Sequence, residues 1–193
     1  MFDGHWTFYV AQGFGLVAMV ALFASYQQKT AKQLTACKLV ADAAWILHYS
    51  FMGVMTPASY TGIVPNGVGI FRELVFMQRK EKKWANHVVF PIVFVLCGWG
   101  FGVWTIVQNW EKAGAFCFLP LIASTVVTIG LWTQRTMVCK IACFCASASF
   151  LVYNIVLGSP VGIFGEAVSE ASLLVFFVRY AIEKRRARKG GGA

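Results

Sequence analysis

The chain reads WILHYSFMG at positions 45–53 and FLVYNIVLG at positions 150–158. Each runs aromatic, two apolar residues, a ring with a polar edge (His48, Tyr153), four more residues, then Gly. His48 and Tyr153 stand 105 positions apart, as do Gly53 and Gly158. Repetition over such a distance points to an internal duplication. Other pairs support it. YQQKT at 26–30 echoes WTQRT at 132–136, Cys37-Lys38 echoes Cys139-Lys140, and Pro57 echoes Pro160. The offsets drift between 102 and 106, so small insertions separate the halves. The competing explanation is that apolar segments resemble one another by composition alone.

Composition sets the solvent. Apolar residues make up 58% and charged residues 13% of the 193 positions, and the mean hydropathy is +0.64. Soluble domains average roughly 45–50% apolar and about 25% charged. A bilayer suits such a surface, and a helix of about 20 residues crosses its hydrocarbon core. Seven segments fit, near 6–26, 35–55, 58–78, 88–108, 114–133, 138–157 and 160–181. Pro57 and Pro160 stand where helices should begin, since a first-turn proline forfeits no intrahelical bond. The first segment has no basic flank and no A-x-A-like cleavage site, so it reads as a permanent span rather than a signal peptide.

Three spans reverse the chain's direction and a fourth restores it. The expected fold is therefore an all-α membrane protein with two parallel three-helix bundles joined by a linker helix (3+1+3). The boundaries are 1–83 for the first bundle, 84–112 for the linker, 113–183 for the second bundle and 184–193 for a basic, disordered cytoplasmic tail. Parallel repeats of this kind place a binding site near the midplane between the units.

Basic residues alternate along the chain. They follow the first span (Lys29, Lys32), the third (Arg79, Lys80, Lys82, Lys83), the fifth (Arg135, Lys140) and the seventh (Lys184 to Lys189). The opposite loops hold Lys112 alone. This predicts an outside N-terminus and a cytoplasmic C-terminus. The net charge of +9 is thus a topology signal, and no nucleic-acid partner is expected. The six cysteines read as small apolar packing, with no metal-ligand spacing among them. No cofactor motif is present, and no G-x-x-x-x-G-K-[ST] run supports nucleotide-driven pumping. Gly13, Gly15, Gly53, Gly67, Gly69, Gly158, Gly162 and Gly165 read as close-packing points between helices.

Several runs carry a family resemblance: AQGFG at 11–15, SYQQKTAKQ at 25–33, LHYSFMG at 47–53, NGVGIFRELVF at 66–76, LPLIAS at 119–124, LVYNIVLGSPVGIFGE at 151–166 and RY at 179–180. The chain resembles the YgjV-type bacterial inner-membrane proteins from end to end. That resemblance implies the broader SWEET-like and PQ-loop (MtN3-like) group, which includes sugar and vitamin-precursor transporters. In its sugar carriers an Asn pair from matching helices contacts substrate, and Asn66 matches one member. Ser169 stands where the second Asn is expected, and the Pro-Gln dipeptide of the group is absent.

Polar groups inside spans carry the functional signal. A charge at the centre of a membrane helix costs about 2.5–3.5 kcal/mol on insertion scales. Glu166 and Glu170 lie four apart, on one face of the last span. They bind a cation, couple protons or recognise a donor-rich substrate; alternatively they pair with Arg72 or His48 as bundle glue. Asn66, just after Pro65, either meets substrate or bonds a neighbouring backbone. Pro65 leaves the Thr61 carbonyl without its helical donor and can kink the helix. His48 is a switch near neutral pH or an interhelix bond. His48 and Asp42 are six apart and do not share a face, so no relay is expected within that helix. Trp45 and Phe150, at matching positions, clamp a ring or simply pack. Tyr153 and Asn154 are candidates for the mouth. Arg72 and Glu73 read as an anchor, with Arg72 snorkelling toward the cytoplasm.

Together these residues predict a small-solute carrier. Substrate would meet Asn66, Glu166, Ser169 and Glu170, with Trp45, His48, Phe150 and Asn154 beside them. The alternative is a membrane scaffold or sensor without a transport cycle. No catalytic constellation is recognisable, so an enzyme is not expected. The partners expected are a small-molecule solute and the lipid bilayer, and the oligomeric state stays open.

Overall fold

The computed structural model describes residues 6–108, 110 and 114–190. Among these residues there are seven α-helices and no strand. They are α1 (Trp6–Gln27), α2 (Ala31–Gly53), α3 (Ile63–Met77), α4 (Val89–Gln108), α5 (Leu119–Trp132), α6 (Thr136–Leu157) and α7 (Pro160–Gly190). Short 3-10 turns span Pro57–Gly62, Lys83–Asn86 and Gly114–Phe118.

Local chemistry sets the helix ends. The Thr30 hydroxyl accepts from the Gln33 amide at 3.3 Å and caps α2. Gly158 takes φ 67 and stops α6, a left-handed position that glycine adopts without a Cβ penalty. Ser159 then caps α7, its Oγ accepting from the Gly162 amide at 3.2 Å, with Pro160 in the first turn. Gln12 Oε1 accepts from the Val161 amide at 3.2 Å, so the polar residue inside α1 helps fill the same helix end.

Five helices are long and apolar enough to cross a membrane: Trp6–Gln27, Val89–Gln108, Gly114–Trp132, Thr136–Leu157 and Pro160–Arg186. The segments expected at 35–55 and 58–78 do not reach that threshold. α2 carries Lys38, Asp42 and His48, which lower its hydropathy. α3 has 15 residues, because a 3-10 turn takes the six before it. The basic run expected to be disordered is helical as far as Gly190. Arg, Lys, Glu and Ala are strong helix formers and continue α7 past its apolar part.

α2 packs between α1 and α3, and α6 packs between α5 and α7. α3 also touches α5, and α7 touches α1, so six helices close around a central space. α4 leans on α3 and α5 from outside, burying little beyond Gly98, Gly102 and Ile106. Large apolar side chains such as Leu16, Val20, Leu96, Phe101 and Trp104 face outward. Such an exterior is stable against lipid, with backbone groups satisfied inside each helix. The chain links after α1, α3 and α5 meet at one end. There Lys32 pairs with Glu81, Arg79 donates to the Trp132 carbonyl, and Gln134 Nε2 donates to the Phe76 carbonyl at 3.3 Å.

Candidate functional site

Side chains from all six ring helices enclose a cavity of about 40 Å³. A buried water needs roughly 10–15 Å³ on this measure, so the space holds about three waters. α1 supplies Leu22 and Tyr26; α2 supplies Lys38, Asp42, Trp45 and Tyr49; α3 supplies Asn66. Val127 of α5, Cys143, Ala146, Ser147 and Phe150 of α6, and Glu166 of α7 complete it.

One wall is an ion cluster. Lys38 and Asp42 are four apart on α2, and Lys38 Nζ lies 3.4 Å from Asp42 Oδ1. Arg72 Nη2 reaches Asp42 Oδ2 at 3.6 Å and Glu73 Oε1 at 3.2 Å. Lys38 also approaches Glu73 Oε1 at 3.9 Å. Arg72 Nη1 donates to Thr128 Oγ1 at 3.0 Å, which ties α3 to α5. Gly69 makes the approach possible: a Cβ there would strike Asp42 Oδ2 and come within 3.2 Å of Arg72 Nη2. Two basic and two acidic side chains thus pair away from water, the arrangement that offsets the cost of burying such groups. Arg72 does not snorkel. It is 2% exposed, because its partners lie inward and Asp42 outcompetes the distant headgroups.

Glu166 stands opposite, 4% exposed. It pairs with neither Arg72 nor His48. Its Oε2 accepts from the Ser147 hydroxyl, and the charges that act on it are Lys38, Glu170 and Asp42. Trp45 and Phe150 face the same cavity from matching positions on α2 and α6. Asn66 also lines it, but its Nδ2 donates to the Gly62 carbonyl at 2.6 Å. Pro65 stands elsewhere in its helix than mid-span. α3 begins at Ile63, so Pro65 falls in its first turn, where no helical donor is missed.

Four predicted residues sit outside the cavity lining. His48 is fully buried: its Nδ1–H donates to the Ala11 carbonyl at 2.7 Å, which leaves Nε2 to accept from the Ser159 hydroxyl at 3.0 Å. Asn154 is also fully buried, its Oδ1 accepting from the Tyr49 hydroxyl at 3.3 Å. Ser169 lies buried beside Tyr26. Glu170 is half-buried, one turn along α7 from Glu166. Tyr153, expected near the mouth, is buried and bonds Thr61 Oγ1 at 2.8 Å and the Ala58 carbonyl at 3.2 Å. His48 and Tyr153 therefore act alike. Each reaches the opening turn of a helix in the other half, beside Pro160 or just after Pro57. Sequence reasoning left Lys38 out of the site, although a Lys–Asp pair at i, i+4 in an apolar helix is a readable signal. Among the glycines, Gly15, Gly53, Gly69, Gly162 and Gly165 meet neighbours closely, whereas Gly13, Gly67 and Gly158 border open space.

A family model described as a bacterial inner membrane protein, Imp-YgjV, matches residues 9–184. The chain belongs to the Imp-YgjV family. With its outward apolar faces, this makes it a multi-pass protein of the bacterial inner membrane. The match reaches all six ring helices and takes in every cavity residue, so the polar cavity lies within the Imp-YgjV region itself. No curated protein and no solved structure matches the chain.

Proposed function

We propose that this Imp-YgjV protein is a small-solute transporter of SWEET-like type. α1–α3 and α5–α7 form two parallel three-helix units, and α4 links them. The packing supports this reading, because exchanging the units exchanges the α3–α5 contact with the α7–α1 contact. So does the bond between Tyr49 and Asn154, which are 105 positions apart and hence equivalent in the repeat. Equivalent residues touch where a two-fold axis passes. The N-terminus lies outside and the C-terminus in the cytoplasm, with the Lys29, Arg79 and Arg135 end inward.

The observation that carries the proposal is the Glu166 carboxyl facing a central cavity with, among the described residues, a single hydroxyl as its hydrogen-bond partner. A buried carboxylate held so sparsely invites a ligand with N–H donors or positive charge. Trp45 and Phe150 would cover the ligand's apolar faces, with Asn66 and Glu166 taking its polar groups. Ser169 and Glu170 lie one helical turn from the cavity on α7 and would join as the units rock. A cavity of about 40 Å³ corresponds to a closed state; alternating access opens it to each side in turn. Proton coupling through Glu166 or Glu170 is a further layer on the same geometry.

Uptake into proteoliposomes tests this, across sugars, nucleosides, amines and amino acids. Some panel member should enter through wild type and be lost in Glu166→Gln and Asn66→Ala. The small cavity favours one rival, a scaffold or sensor with no transport cycle. Silence across the panel with well-folded protein would decide for that rival.

A further inference from the structure

A second pocket, of about 350 Å³, opens between α1, α6 and α7 at the end that carries Lys29. Tyr26 lines both this pocket and the central cavity. The rest of its wall includes Gln28, Lys29, Thr136, Lys140, Phe176 and Tyr180.

Two independent features of that wall ask for an anion. The first is Lys140. The residue is 3% exposed, and its ammonium, which faces the pocket, rests 3.6 Å above the centre of the Phe176 ring. Among the described residues no carboxylate or carbonyl accepts from it. A ring face offsets part of the cost of burying a cation but fills none of its three donor sites. Lys38, the matching residue in the first half, has Asp42 and Glu73 instead. The second feature is the start of α6. Arg135, at the N-cap, provides no side-chain bond. The amide of Cys139 reaches the Arg135 carbonyl at 2.9 Å, but those of Thr136, Met137 and Val138 have no partner among the described residues. First-turn amides and the helix dipole favour negative charge. Lys140 lies one turn into α6, and helix side chains lean toward the N-terminus, so both features converge on one spot. Lys29, exposed at the rim, adds a second positive charge.

We propose that this pocket binds a phosphate group, held by the Lys140 ammonium and the first-turn amides of α6, with Lys29 at the edge. A lipid headgroup and a soluble phosphate share that chemistry. The site needs no transport cycle and stands whether or not the central cavity carries a solute.

Thermal-shift titration of the full-length protein in neutral detergent tests it. One arm uses inorganic phosphate, one a short-chain phosphatidylglycerol, and a phosphatidylcholine arm is the zwitterionic control. Wild type should show a saturable rise in Tm with phosphate or phosphatidylglycerol. Lys140→Gln should weaken binding by about tenfold or more, as loss of a charged hydrogen bond does. Lys140→Arg should stay within about threefold, and Lys29→Gln should lose about two- to threefold. A response to phosphatidylglycerol alone assigns the site to lipid, and a response to phosphate alone assigns it to a soluble anion. Should Lys140→Gln not fold, Phe176→Glu replaces it: a carboxylate there would occupy Lys140 and must abolish the response. Absence of any saturable response in wild type overturns the proposal. So does an undiminished response in Lys140→Gln or Phe176→Glu, since Lys140 would then merely reach for the membrane surface.

Discussion

Lys38 and Lys140 hold matching places in the proposed repeat and keep different company. Lys38 approaches Asp42 at 3.4 Å and Glu73 at 3.9 Å. Lys140 approaches the Phe176 ring at 3.6 Å. In the register that pairs Pro57 with Pro160, Phe176 falls where Glu73 stands and Val175 where Arg72 stands; in the register of the two lysines, Phe144 replaces Asp42. The first half has four mutually neutralised charges. The second keeps the cation, has apolar residues in place of its counter-ions, and places Glu166 and Glu170 on α7 instead. On the proposed repeat, the two sets of helices share their packing order and differ in where they hold charge.

The strongest way to break that comparison is Arg72→Met. It leaves Asp42 and Glu73 to share Lys38 alone, and removing one partner of a buried ion network costs about 3–5 kcal/mol. Thermal unfolding in detergent should register a large drop, whereas Val175→Ala at the matching place, half exposed, should change stability by less than about 1 kcal/mol. A small drop in Arg72→Met would mean the cluster is not a charge-balanced unit.

The cross-links offer a subtler test. His48→Phe and Tyr153→Phe each remove a bond to the opposite half, and each should cost about 1–3 kcal/mol. Tyr49 packs against both rings, with centroids 5.1 Å from His48 and 5.9 Å from Tyr153. The double variant should therefore depart from additivity, and simple addition would show that the two links act separately.

Gly69 sharpens the contrast on the third helices. Gly69→Ala drives a methyl group into the Asp42–Arg72 contact, and such overpacking costs about 1–3 kcal/mol. Its counterpart Ser172 already bears a side chain, accepting from Gln27 Nε2 at 3.2 Å. Ser172→Ala should cost under about 1 kcal/mol in the same unfolding assay.

The smallest effect belongs to the pair between Lys32 and Glu81, both exposed. The Lys32 ammonium holds the Glu81 carboxyl below the usual carboxylate range. A depressed pKa adds stability above the unfolded value and loses it as pH falls through the folded one. Between pH 7 and pH 5 the pair stays ionised, so this pair should contribute no pH dependence to Tm in that window. Lys32→Gln should lower the unfolding temperature at pH 7 only slightly, because an exposed pair is screened by solvent.

Much of the helical framework is legible in the sequence. Pro57, Pro160, Thr30 and Gly158 mark ends that local sterics and hydrogen bonding enforce in any context. Glu166, Trp45 and Phe150 are legible as cavity residues because polar or matched aromatic groups in apolar helices need a reason. Pro65 shows the limit. Its effect depends on whether the preceding turn is α or 3-10, and the Pro57–Gly62 turn, which accepts from the Tyr153 hydroxyl at the Ala58 carbonyl, is 3-10.

The sequence by itself determined the solvent and most of the helices with their ends, because apolar length, proline position and capping residues act locally along the chain. Tertiary structure alone decided which polar groups meet. Arg72 turns inward to Asp42 rather than outward, and Lys140 meets a ring rather than a carboxylate. Those outcomes rest on distances of a few ångströms between helices far apart in sequence, where Coulomb energy and desolvation are settled by contact.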